Sequence, residues 1–470
     1  MAAMFMIAIE ATIVSTAMPQ IAGRLGSLHL YAWVFSSFLL TQTATTVVFG
    51  KLADLYGRKP VLLTGIAIFL IGSILCGFAW SMPSLIVFRL VQGVGAGAVQ
   101  PVSITVVGDL YSVQERARIQ GFLASVWGVS SILGPLAGGL IIQHLSWAWI
   151  FWINVPVGLA AAAGFACFLR EEVAHGVRRV DTAGATLFAV AIASLMVAFT
   201  EAGRSGGNAT FAALCVFAVS AMLFVAVERR ARDPMLDFGL WAHRPIATAN
   251  AATLLSGMAV IGLTTFLPMY VQGVLGRSAL VAGFALTLMV LGWPIGATLA
   301  AWNFSRLGLR GTLLLGAALL PAGASAFLVL APGMSPVVAG AGSIVMGLGM
   351  GFLSNAAIVI IQESVTWAER GAATASNMFS RNLGSTLGAT VLGGVLNLGL
   401  AHGATSYDQV QRLLAGSHAA IDAAGVRVSL GHSLHLTFCV MFLTTVLTLV
   451  LAMLVPAVAI GQKKRSIPTG

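Results

Sequence analysis

Long apolar runs separated by short charged turns set the pattern of this chain. Runs of a length to cross a bilayer, about 20 residues each, fall at roughly 2–22, 31–49, 61–80, 84–107, 117–142, 147–169, 182–201, 210–228, 245–271, 280–303, 312–331, 335–361, 372–399 and 433–460. The pattern predicts about fourteen spanning helices. An even number puts both ends of the chain on the same side of the membrane. Between 401 and 432 lies the one long loop on the opposite side, and Tyr407–Leu414 within it reads as a short surface helix.

Composition agrees with that pattern. Of 470 residues 58% are hydrophobic and only 9% charged, with mean hydropathy +0.94, whereas soluble domains carry about 25% charged residues. The chain is an all-α integral membrane protein. Its formal net charge of +10 does not point to nucleic acid, because the basic residues are spread through short loops. Their distribution instead orients the protein: eighteen of the 25 Lys and Arg fall in one set of loops, five in the opposite set and two, Arg89 and Arg381, within runs. So strong a bias puts both termini in the cytoplasm.

Several classes of chemistry drop out. Cys76, Cys167, Cys215 and Cys439 all sit in apolar runs, with neither a disulfide framework nor metal spacing. His432 and His435 alone make no metal site. There is no phosphate-binding loop and no convincing catalytic triad, so neither an enzyme nor a cofactor is expected. No basic leader precedes the first run; either the chain begins this compactly or a few residues are missing.

One turn carries more information than the others. Gly50-Lys51-Leu52-Ala53-Asp54-Leu55-Tyr56-Gly57-Arg58-Lys59-Pro60 joins the second and third runs. Its glycines permit a tight reversal, and Asp54, Arg58 and Lys59 bring both signs of charge to one helix junction. The spacing of Gly50, Asp54, Gly57, Arg58 and Lys59 resembles the signature loop of the major facilitator superfamily, with Leu55 where a basic residue is usual. A weak echo, Ser305-Arg306-Leu307-Gly308-Leu309-Arg310, lies between the tenth and eleventh runs. Superposing Gly57 on Gly308 puts Ser305 in the place of Asp54, as two related halves would require.

The resemblance implies two six-helix bundles, 1–170 and 245–470, with a two-helix insert and its cytoplasmic connectors at 171–244. It further implies cytoplasmic gating by Gly50, Asp54, Gly57, Arg58 and Lys59. Asp109, at the cytoplasmic end of the fourth helix, is expected to pair with Arg58 when that side is closed.

Glu10 is the most informative single residue. A charge at mid-membrane costs roughly 2.5–3.5 kcal/mol on insertion scales, so an acid there calls for a purpose or a partner. A group that ionises when water reaches it and reprotonates when sealed suits proton coupling; the alternative is a structural hydrogen bond to a neighbouring helix. Glu10-Ala11-Thr12-Ile13-Val14-Ser15-Thr16-Ala17-Met18-Pro19 resembles the first-helix motif of the fourteen-helix drug–proton antiporters. Here Glu10 and Ser15 replace the usual Asp and Asn.

Other motifs point the same way. Arg89-Leu90-Val91-Gln92-Gly93 resembles the superfamily motif whose Arg is assigned to proton coupling, although a cation near an interface can also snorkel to headgroups. Gly134-Pro135-Leu136-Ala137-Gly138-Gly139 resembles the antiporter motif of exporters. Gly134 and Gly138 share one helix face and Pro135 and Gly139 another, so a partner helix can come close. Trp147–Pro156 and Phe266–Ser278 read as interface anchors and turns. Arg381, about nine residues into the thirteenth run, is either a cavity-facing residue, alongside Glu10, or a snorkelling one.

The expectation is a monomeric, multi-pass transporter of the inner (plasma) membrane that exports amphipathic, lipophilic small molecules in exchange for protons. Its partners are the bilayer, the substrate and H⁺, with no metal. The alternatives are export of a native lipid, siderophore or metabolite and, in another class, a non-transporting sensor or an intramembrane enzyme.

Overall fold

The computed structural model describes residues 1–470 except 111–112, 170–181, 202–206, 232–237, 366–369, 403–406, 415–422 and 459–470. The side chains of Asp54, Asp109 and Glu201 also lie outside the described residues. Among the described residues the chain is helical and contains no strand. Hydrocarbon offers no partner for a free N–H or C=O, and a helix satisfies all of them internally.

In chain order the helices are α1 Ala2–Leu25, α2 Tyr31–Tyr56, α3 Arg58–Gly77, α4 Met82–Leu110, α5 Val113–His144, α6 Trp149–Trp152, α7 Asn154–Phe168 and α8 Thr182–Glu201. There follow α9 Gly207–Glu228, α10 Phe238–Trp241, α11 Arg244–Met269, α12 Ala279–Leu328, α13 Pro336–Glu363, α14 Arg370–His402, α15 Tyr407–Leu414 and α16 Ala423–Met453. Among the described residues, 12 of these helical stretches are long and apolar enough to cross a membrane.

The sequence pattern gives about fourteen, and the difference arises at two places. α12 runs for 50 residues, about 75 Å of helix, far more than the roughly 30 Å of hydrocarbon. In its middle Gly308 has φ 68° and ψ 172°, a backbone that glycine adopts without steric cost. Gly292 and Gly296 before it, and Gly316 and Gly323 after it, all abut the same stretch of α13, residues 342–353. The chain therefore doubles back at Gly308. The second place is α8, which is 20 residues long but is continuously described only over Thr186–Leu195, because the side chains of residues 185 and 196 lie outside the described residues. Gly57, between α2 and α3, has φ 93° and ψ 158°, so the two superposed glycines take up the same kind of backbone.

Helices α1 to α7 pack together, with α3 and α2 against α4, and α1 against α5 and α7. A second group joins α11 to α14 and α16, and α12 to α13 and α16. α8 and α9 pack on each other, and Phe188, Ile192 and Phe224 reach Leu40 and Ala44 of α2 and Phe379 of α14. The two larger groups meet where α1 touches α11, α2 touches α14 and α5 touches α12.

Hydrogen bonds fasten that seam toward the end bearing the α1–α2 turn. Tyr31 Oη donates to the Thr265 carbonyl at 2.9 Å, Gln272 Nε2 to that of Thr16 at 2.9 Å and Asn397 Nδ2 to that of His29 at 2.8 Å. Ser15 donates to the Thr264 carbonyl. Phe266, read from sequence as an interface residue, is instead fully buried beside Tyr31. At the same end α15, the stretch that the sequence marks as a short surface helix, lays Val410 and Leu414 inward over α1 and α16.

Candidate functional site

A sealed polar cluster lies within the first helix group. Glu10 of α1 is 1% exposed and Arg89 of α4 is 3% exposed. Arg89 Nη1 lies 2.5 Å from Glu10 Oε1 and 2.7 Å from Gln92 Oε1. Arg89 Nε donates to the Val34 carbonyl of α2 at 3.2 Å, and the guanidinium lies 4.2 Å from the centre of the Phe38 ring. The other carboxylate oxygen, Oε2, accepts a hydrogen bond from Asn154 Nδ2 at the start of α7. Gln92 Nε2 donates to Ser73 Oγ of α3 at 2.8 Å.

Five helices thus converge on one ion pair. Removing two charges from water is costly, and their attraction offsets the cost only when the remaining hydrogen-bonding positions are filled. Here they largely are, and with Glu10 ionised the pair is neutral. A proton taken up by Glu10 would leave the Arg89 charge uncompensated in a dry interior, an unstable arrangement that reorganisation would relieve.

One expectation is revised here and one alternative falls away. Glu10 does not line the crevice between the helix groups; its carboxylate points into the first group, because Arg89 and Asn154 draw it there. Ser15, farther along α1, faces the other group instead. Nor does Arg89 snorkel, since its guanidinium is held by Glu10, Gln92 and Val34. Asn154, which the sequence marks only as part of an anchor, is fully buried and completes the carboxylate's shell. An amide beginning an apolar helix is the signal that marks it. There Trp147 packs edge-on against Phe151 and Trp149 against Trp152.

The exporter-like motif of α5 works on both of its faces. A side chain at Gly134 would strike Thr12 of α1, and one at Gly138 would lie 3.2 Å from Ile13. On the other face a side chain at Gly139 would lie 3.2 Å from Leu280 of α12, and Pro135 fills the space a side chain at Gly283 would need. The motif therefore sits in the seam between the helix groups.

In the signature loop, Arg58 Nη1 donates to the Ala53 carbonyl at 3.1 Å and Lys59 Nζ to that of Ala166 at 2.7 Å. Gly50 has open space where a side chain would project. The expected Arg58–Asp109 pair, and the role of Asp54, rest on side chains outside the described residues.

Arg381 lies well inside α14 and is half-buried. Its guanidinium carbon is 6.0 Å from the centre of the Trp293 ring in α12, and that indole donates to Ser354 Oγ at 3.2 Å. One turn earlier, Asn377 Nδ2 reaches Asn250 Oδ1 and Thr253 Oγ1, each at 3.0 Å, and Asn250 Nδ2 reaches Ser376 Oγ at 2.8 Å.

This fold and these motifs define a membrane transporter built from two helix groups. The sequence model of the Major Facilitator Superfamily matches residues 1–389, and the chain belongs to that superfamily. It is 35% identical over 398 residues to "Multidrug transporter protein MdtP" of Bacillus subtilis (strain 168), covering 84% of this chain and 74% of that one. To "Multidrug resistance protein 3" of the same organism it is 36% identical over 393 residues, covering 83% and 77%. "Efflux pump FUS6" of Gibberella moniliformis is 28% identical over 422 residues, covering 85% and 73%. Among solved structures, a bacterial homologue of the lysosomal transporter Spinster superposes with a TM-score of 0.67 at 16% identity, covering 97% of this chain and 95% of that one. A D-xylose–proton symporter superposes with a TM-score of 0.61 at 14% identity, covering 95% of each. The protein is a multi-pass membrane transporter and not an enzyme.

Proposed function

We propose that this protein is a proton-coupled exporter of amphipathic, lipophilic compounds, working by alternating access. The observation that carries this reading is the Glu10–Arg89–Asn154 cluster, which holds the one carboxylate of the sequence placed far from the ends of any span. In one state Glu10 is ionised and paired. Protonation from outside releases Arg89, and the loss of that pairing tips an equilibrium between forms that differ by only a few kcal/mol. The α5 seam and the signature loop, with Arg58, Lys59, Asp54 and Asp109, let the halves rock. Relatives named as multidrug transporters support the substrate class.

In this reading the chain crosses the membrane fourteen times, counting α12 twice and including α8. Residues 1–170 and 245–470 form the two bundles, and 171–244 is an insert. The bias of Lys and Arg supports cytoplasmic termini in a plasma membrane, and one copy suffices. The test is uptake of a lipophilic cationic dye into proteoliposomes, driven by a pH gradient, with wild type beside Glu10→Gln. Wild type should concentrate the dye. Glu10→Gln should retain downhill exchange and lose the uphill component; uphill transport at the wild-type rate would overturn the reading.

A further inference from the structure

Arg381 presents a problem of charge balance. A buried or half-buried cation within a span is ordinarily paired. Among the described residues Arg381 makes no side-chain hydrogen bond or ion pair, and its guanidinium carbon lies 6.0 Å from the centre of the Trp293 ring. Among the described residues no acid reaches it. Within residues 244–453 the acids are Glu363, Glu369, Asp408 and Asp422. Glu363 closes α13, Asp408 belongs to the surface helix α15, and Glu369 and Asp422 lie outside the described residues and beyond the spans read from sequence. In the first group the mid-span acid, Glu10, is already taken by Arg89.

The surroundings are those of a docking point. Trp293 gives a flat apolar surface beside the guanidinium, with its own N–H turned away to Ser354. Arg381 has five N–H donors in a planar fork that matches a carboxylate. Asn377, four residues earlier on the same side of α14, has an Oδ1 that is buried without a donor. That polar network fixes the α11–α14 junction, where Gly257 and Gly384 allow backbone to approach backbone. Arg381 therefore projects from a rigid base and remains partly open.

We propose that Arg381 docks the carboxylate of an amphipathic substrate, whose apolar body lies against Trp293. This inference rests on the export reading for the substrate's passage, but not for its binding. A charge-assisted, two-pronged contact should make the acid bind about tenfold to a hundredfold more tightly than its uncharged ester.

The experiment uses the full chain in lipid nanodiscs, with pyrenebutyrate and its methyl ester as probes. Binding is read by energy transfer from Trp to pyrene, corrected with protein-free discs. Wild type should prefer the acid at least tenfold. Arg381→Gln should bring acid and ester within about twofold, and Arg381→Lys should retain part of the preference. An unchanged preference in Arg381→Gln, or none in wild type, overturns the proposal. The elution volume and thermal midpoint of the same Arg381→Gln protein in detergent distinguish misfolding from loss of the site. Failure of all pH-driven transport, with the acid preference intact, would instead overturn the export reading and leave this one standing.

Discussion

Arg89 Nη1 and Glu10 Oε1 are 2.5 Å apart, although 79 residues separate them in the chain. Removing one partner of a buried pair strands the other charge, at a cost of about 3–5 kcal/mol, whereas replacing both by well-fitting neutral groups can be neutral. Arg89→Ala should therefore lower the thermal midpoint in detergent sharply. Glu10→Gln combined with Arg89→Met should recover most of the loss. Equal midpoints for Arg89→Ala and the double variant would mean that the pair does not stabilise this state.

Asn154 supplies the donor to Glu10 Oε2. Asn154→Leu removes it from a water-free site, a loss of about 1–3 kcal/mol. Thermal unfolding should show that loss in wild type. In a Glu10→Leu background, where no carboxylate waits for a donor, the same substitution should cost clearly less; equal costs in both would remove Asn154 from the cluster.

Two glycines of α5 should respond in opposite ways to alanine. At Gly134 the added carbon meets Thr12, whereas at Gly128 it meets nothing within 4 Å. Gly134→Ala should cost about 1–3 kcal/mol through overpacking and slow transport. Gly128→Ala should be neutral or stabilising by up to about 1 kcal/mol. Dye efflux and thermal midpoints measured side by side decide the matter, and indistinguishable variants would refute the close-packing account.

Tyr31 and Thr265 tie the two helix groups together at 2.9 Å. Tyr31→Phe removes a bond worth about 0.5–1.5 kcal/mol while keeping the ring, and should shift the population toward separation at that end. Spin labels at Trp80 and Val337, both exposed, in a background without the four native cysteines, should report a larger share of long distances. An unaltered distribution would show that the bond does not bias the equilibrium.

Much of this arrangement is legible in the sequence, for a physical reason. Hydrocarbon permits little besides helices, so the apolar runs give the elements, and glycines forced into unusual backbone, Gly57 and Gly308, give the reversals. Glu10 and Arg89 each stand out because a charge in a span is costly. Their pairing does not, since no local pattern relates residues on α1 and α4. The direction of Glu10, into its own bundle and not the crevice, depends on Asn154, whose type is unremarkable until α7 carries it there. The sequence leaves Arg381 open between two settings for the same reason: its surroundings are set by Trp293 and α11, not by its neighbours in sequence.

An arginine on α14 that lacks a counter-charge among the described residues has an electrical consequence. Sending one monoanion outward while one proton comes inward moves two positive charges in the same sense. At about 2.3 kcal/mol per charge per 100 mV, voltage alone would then contribute about 4.6 kcal/mol per cycle at 100 mV. For such cargo, the pump would keep running in a cell whose pH gradient had collapsed, as long as its interior stayed negative.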